Sequence, residues 1–238
     1  MDFILLFFLG GISSLFIGAI VDALPYFLGW RNEVKYESRW KAGWACFFNP
    51  KRINYLYGWP FKSENKINSS KYFIVYICYG IFIACFYKLN HQNDNIITTL
   101  IVFSLLLFFS WIDINENLIP AVISLPFFWY GLLWSPYETD IMSRAFGGGI
   151  GFFATYFSML ITGFIKKEDL IAGGDICLMT CVGVWAGDKA ISICLFITSL
   201  VYIAYSLPLR FKGIRYVPMG PAICISLFTY ICLSKYFY

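Results

Sequence analysis

The chain has 238 residues, of which 59% are apolar, 21% aromatic and only 13% charged, with a net charge of +4. A soluble domain carries about 45–50% apolar and about 25% charged residues, so a cytosolic enzyme, a disordered tail and a nucleic-acid binder are excluded. The mean hydropathy of +0.67 agrees, and the expectation is an all-α integral membrane protein of about eight transmembrane helices.

A helix crosses a bilayer with about 20 apolar residues, within a range of about 17–25. Eight stretches come close: 3–25, 72–87, 96–112, 118–134, 145–165, 171–186, 190–209 and 217–234. The sixth is short and opens in glycines. The predicted organisation is a first transmembrane helix at 1–25, a cytoplasmic membrane-surface loop at 26–71 and a seven-helix membrane domain at 72–238. Asp2 is the only charge before the first apolar run, and Arg31 is the first basic residue. A signal peptide needs a positive leading segment, so a retained helix with its N-terminus outside the cytoplasm is expected.

On that topology the inner loops are 26–71, 113–117, 166–170 and 210–216. They hold 14 of the 18 Lys and Arg, nine of them in 26–71. Lys and Arg accumulate on the cytoplasmic side, so that face is assigned to the cytoplasm. The insert mixes Trp30, Trp40, Trp44 and Trp59 with its basic residues. Trp favours the headgroup layer and Lys and Arg favour anionic lipid, which predicts a segment lying on the membrane. A plain topology anchor explains it equally well.

Ionisable residues near a span mark functional candidates, because lipid makes them costly. Asp113 follows directly on the third apolar run, and Asp175 opens the sixth in Ala172-Gly173-Gly174-Asp175. Both fall at cytoplasmic helix ends, where residues distant in sequence can meet. Two adjacent carboxyls share a proton, because both cannot ionise cheaply. The ionised one can deprotonate water while the protonated one hydrogen-bonds a scissile carbonyl. Gly173 and Gly174 remove side chains, so that a peptide backbone can come close. Each aspartate also has a plain reading: Asp113 as a solvated helix-end acid, Asp175 as a favourable first-turn acid. Asp22, in the last turn of the first span near Pro25, reads as a helix-end polar residue.

The eight cysteines include no C-x-x-C pair, and all but Cys46 lie in apolar runs. They read as small apolar fillers, and no metal is expected. Gly147 with Gly151, and Gly183 with Gly187, have the G-x-x-x-G spacing of closely approaching helices. Pro120 and Pro126 are expected to start or kink the fourth span.

The stretch WIDINENLIPAVISLPFFWYGLLWSP resembles the first aspartate motif of the type IV prepilin leader peptidases, with Asp113 and Pro120 at the motif's spacing. KKEDLIAGGDICLMTCVGVWAG resembles the second, G-x-G-D, with Asp175 on its aspartate. Val217-Pro218-Met219-Gly220-Pro221 is similar to the P-x-G-P element that opens the last helix of these enzymes. The resemblance covers about residues 110–235, with FIGAIVDALP a looser match. Three departures stand out: Ala172 replaces the family's first glycine, Cys177 stands where Lys is common, and 26–71 holds only Cys46 where many members carry two C-x-x-C pairs. The resemblance is thus to the branch lacking that four-cysteine zinc site.

It implies that 72–238 is a membrane protease domain, an aspartic endopeptidase of the bacterial inner membrane. Such an enzyme removes the basic leader from type IV prepilins or pseudopilins at the cytoplasmic face. Asp113 and Asp175 are then catalytic, supported by Pro120, Gly173, Gly174, Pro218, Gly220 and Pro221. It also implies N-methylation of the new N-terminus with S-adenosylmethionine as methyl donor, for which Glu33, Glu37 and Arg39 are candidates only by charge and position. The expected partners are prepilin and membrane lipid, with no nucleic acid. A proton-coupled membrane transporter and a non-catalytic pilus or secretion assembly factor are the alternatives.

Overall fold

The computed structural model describes residues 3–28, 38, 40, 44, 75–86, 95–167, 171–211 and 217–234. Eight helices lie among them, and no strand. They are α1 (Phe3–Phe27), α2 (Val75–Phe86), α3 (Ile96–Glu116), α4 (Ala121–Trp134), α5 (Ile141–Lys166), α6 (Gly173–Ala186), α7 (Asp188–Phe211) and α8 (Gly220–Ser234). Helices α1, α3, α5 and α7 are long and apolar enough to cross a membrane. The chain is an all-α membrane protein. Most of the insert 26–71, with Glu33, Glu37 and Arg39, lies outside the described residues.

The chain divides into two compact units, Met1–Phe108 and Phe109–Tyr238. In the first, glycines let α1 and α2 touch: a Cβ on Gly10 would lie 2.9 Å from the Ile83 Cβ, and one on Gly80 2.6 Å from the Phe7 carbonyl oxygen. Tyr79 and Ser104 share a 2.7 Å hydrogen bond, and Phe103 packs edge-on against Phe82 and Phe86. Helix α1 continues through Pro25 to Phe27, so Asp22 is not in its last turn. A proline near a helix C-terminus removes one backbone bond, and the remaining ladder carries the helix on. The Phe27 ring meets Trp40 and Trp44 at centroid distances of 5.2 and 5.4 Å.

The second unit is built around α6. This helix has 14 residues, and Ile176, Leu178, Met179, Cys181, Val182, Val184, Trp185 and Ala186 are all buried. A helix apolar on every side is buried on every side, and α4, α5, α7 and α8 pack against it. At about 1.5 Å per residue it is roughly 21 Å long, shorter than the ~30 Å hydrocarbon layer. The longer α5 and α7 turn Phe146, Phe153, Phe164, Phe196, Leu200 and Phe211 outward, an apolar surface of the kind that lipid covers.

Small residues fix the register. A Cβ on Gly147 would lie 2.4 Å from the Gly183 carbonyl oxygen, and one on Gly183 2.1 Å from that of Gly147. One on Gly151 would meet the Met179 carbonyl oxygen at 2.7 Å. The glycine spacing therefore serves intramolecular contact between α5 and α6, which run antiparallel. Helix α4 runs parallel to α6. At one end Gly174 approaches Ile119; at the other Trp185 Nε1 donates to the Phe127 carbonyl at 3.1 Å and Ser135 Oγ to the Trp185 carbonyl at 2.9 Å.

Candidate active site

The site forms at the end of the second unit where α3 and α7 finish and α4, α6 and α8 begin. Helix α3 runs one turn past Asp113, so this aspartate lies inside the helix rather than at its edge. Asn117 ends the helix in the left-handed region, at φ 51°, and its N–H donates to the Asp113 carbonyl at 2.8 Å. Asparagine tolerates that conformation better than most residues. Three residues later Pro120 caps α4 in extended conformation, where its missing N–H costs nothing. The aspartate-to-proline spacing is thus a tight helix-to-helix turn with the carboxyl held one turn before it. Pro126 lies inside α4.

Asp175 occupies the first turn of α6. A negative side chain is favourable there, and the N-cap residue Ala172 supplies no side-chain bond. The two glycines before it differ. A Cβ on Gly173 would meet nothing within 4 Å, so this position borders open space. One on Gly174 would lie 3.1 Å from the Ile119 Cβ; its bareness lets α6 pack beside the turn before α4.

Asp113 and Asp175 line one cavity of about 430 Å³, together with Asn117, Ile119, Gly173, Gly174, Tyr202, Arg210, Pro218 and Met219. The two carboxyls are near enough for their charges to interact. Asp113 is 4% exposed, and its Oδ2 accepts a 2.7 Å hydrogen bond from the Gly220 N–H. Gly220 admits no side chain, because a Cβ there would lie 2.6 Å from that oxygen. Pro218 is held from α7, where the Tyr205 hydroxyl donates to its carbonyl. Of the motif residues, Gly173, Gly174 and Pro218 thus line the cavity, Gly220 touches Asp113, and Pro120 shapes the turn.

Tyr202, Tyr205 and Arg210 escaped the sequence reading. Arg210 counts there only as a topology charge, yet it lies in the last turn of α7 and donates to the Tyr202 hydroxyl at 3.4 Å. The available signal was spacing: 202, 205 and 210 lie near one face of a 3.6-residue helix. Cys177, the departure from the family's common lysine, shares a 3.3 Å contact with Ser124 of α4. Among the described residues no three His, Cys, Asp or Glu gather as a metal site.

Residues 100–207 match the type IV leader peptidase family. A prepilin leader peptidase/N-methyltransferase of Vibrio cholerae is 27% identical over 68% of this chain and 66% of its own length. One of Neisseria gonorrhoeae is 23% identical over 53% of this chain and 45% of its own. A type 4 prepilin-like proteins leader peptide-processing enzyme of Escherichia coli is 27% identical over 50% of this chain and 44% of its own. The matches thus span less than two thirds of these relatives. No solved structure matches the chain. The matched residues 100–207 include Asp113, Pro120 and Asp175.

Proposed function

We propose that the protein is an aspartic endopeptidase that removes the basic leader peptide from type IV prepilins or pseudopilins at the cytoplasmic face of the bacterial inner membrane. The observation that carries this reading is the single cavity lined by Asp113 and Asp175. The family domain and the names of the relatives support the substrate class. The concentration of Lys and Arg in the inner loops supports the sidedness.

In this reading a water between the two aspartates attacks the scissile carbonyl. One carboxylate takes a proton from the water, and the other carboxyl gives its proton to the carbonyl oxygen as the C–O bond forms. The resulting diol collapses. The C–N bond breaks, the leaving nitrogen takes the proton held by the first carboxyl, and the second recovers its own from a hydroxyl. Gly173 leaves open space beside the pair, room for an extended peptide backbone. An apolar helix of the substrate stays in lipid while its basic leader remains on the cytoplasmic side.

N-methylation of the new N-terminus, with S-adenosylmethionine as donor, is the second half of the reading. The paired activities in the relatives' names support it. The candidate residues Glu33, Glu37 and Arg39 lie outside the described residues. Co-expression with a prepilin, followed by N-terminal sequencing and intact mass of the product, tests both halves. Cleavage after the leader with one added methyl group is expected. An unprocessed prepilin overturns the proteolytic reading, and a cleaved but unmethylated product overturns only the second half.

A further inference from the structure

The first turn of α8 leaves one backbone donor to spare, and it is aimed at a cavity residue. A helix start presents N–H groups with no partner inside the helix. Here Pro221 has no N–H, and those of Ala222 and Ile223 bond back to the Met219 carbonyl at 3.0 and 3.2 Å. The remaining donor, the Gly220 N–H, meets Asp113 Oδ2 at 2.7 Å. This bond is buried and lies at the positive end of the α8 dipole. The donated bond and the dipole both favour a carboxylate over a carboxylic acid at the acceptor, and they act against burial, which opposes the charge. The contact depends on glycine, since any Cβ would press on the same oxygen. The Tyr205 bond to the Pro218 carbonyl fixes the turn from which the amide points. The two aspartates are therefore not equivalent. Asp113 has a donor built for its charged form, whereas Asp175 lies in the first turn of α6 beside the open space at Gly173.

We infer that Gly220 is a positioning residue whose backbone N–H holds Asp113 as the ionised member of the pair, so that Asp113 takes the proton of the attacking water and Asp175 gives its proton to the scissile carbonyl oxygen. The inference rests on the proteolytic reading and divides the two roles that reading leaves unassigned. It gives the P-x-G-P element a chemical task. Pro218 sets the turn, Gly220 supplies the donor without a side chain, and Pro221 starts the helix without adding a second free donor.

The test removes the N–H without adding a side chain; the Met219 carbonyl stays in place as a weaker acceptor for the Ala222 and Ile223 N–H groups. The full chain is made by cell-free synthesis into lipid nanodiscs with glycolic acid at position 220, which replaces the Met219–Gly220 amide by an ester. Cleavage of a prepilin is followed as kcat/KM against pH. The acidic limb reports ionisation of the base and the alkaline limb loss of the acid's proton. Asp175 of α6, Tyr202, Tyr205 and Arg210 of α7, and Cys224 of α8 face or act on the pair. All of them remain in the ester form. Losing a bond that favours the carboxylate means that Asp113 ionises only at higher pH. The acidic limb is therefore expected to move up by roughly one pH unit, with about a tenfold loss of kcat/KM at pH values below that limb and the alkaline limb in place.

Movement of the alkaline limb alone assigns Asp113 as the acid and overturns the inference, and an unmoved profile overturns it whatever the rate. Tyr205→Phe is the second variant. It frees the Pro218 carbonyl but keeps every backbone donor, and a smaller upward move of the same limb is expected. If that limb stays still while the protein melts normally, the inference fails even without the ester. An uncut prepilin with the unmodified chain refutes the proteolytic reading and this inference together. A cut prepilin with an unmoved acidic limb refutes this inference alone.

Discussion

The two ends of the Phe109–Tyr238 unit both bury charge, and they treat it in opposite ways. At the end where α4 finishes and α5 begins, Arg144 is 7% exposed. Its guanidinium donates to the carbonyls of Glu138, Leu132 and Thr139 at 2.7, 2.9 and 3.2 Å. Nearby, Asp140 caps α5 through the Met142 and Ser143 N–H groups, and Ser143 Oγ donates to Asp188 at 2.7 Å. Each of these polar groups is spent on ending one helix or starting the next. At the other end Asp113 is buried as deeply, but it borders a cavity shared with Asp175. A buried polar group with its partners filled is structural; one facing room for a substrate is available for chemistry. Burial alone does not distinguish the two ends. The contrast lies in what the remaining lone pairs and donors face.

Substitutions can separate the ends. The largest effect is expected from Asp113→Asn or Asp175→Asn, each lowering prepilin cleavage by about 10²–10⁴-fold or more while the protein still inserts and melts normally. A variant with near-normal cleavage would remove the carboxyl pair from the chemistry. Gly183→Leu forces a side chain against the Gly147 carbonyl and should cost more than about 3 kcal/mol, seen as lost thermal stability in detergent. Arg144→Met strands three carbonyls at the far end. It should cost about 2–4 kcal/mol in melting while leaving the KM of the remaining folded protein unchanged. A selective fall in kcat without destabilisation would mean that the far end takes part in catalysis after all. The smallest effect is expected for Ser143→Ala, about 1 kcal/mol in a melting experiment.

Much of the cavity end was legible beforehand because its motifs have local causes. Asp113 and Pro120 are tied by one helix-to-helix turn, and Gly173, Gly174 and Asp175 by one helix start. Such short-range relations are visible as spacing. The G-x-x-x-G pairs were legible as close contact but not as to partner, since Gly147 meets Gly183 across two different helices. Arg144 was harder to read. A lone arginine near a helix start looks like a loop charge until the carbonyls of residues 132, 138 and 139 are seen to converge on it. Tyr202, Tyr205 and Arg210 were missed for a related reason: their face of α7 becomes special only once α6 and α8 pack beside it.

Composition and apolar run length determined the class of the protein and the eight helices among its described residues, because lipid admits few other solutions for such a chain. Residue order determined where carboxyls, glycines and prolines fall along those helices. Which of them come together was left to tertiary packing: Asp113 and Asp175 on one cavity, and the Gly220 N–H on Asp113, are long-range relations that no local pattern encodes. They exist because α6 is enclosed by its neighbours through glycine contacts, which bring the starts of α6 and α8 to the end of α3.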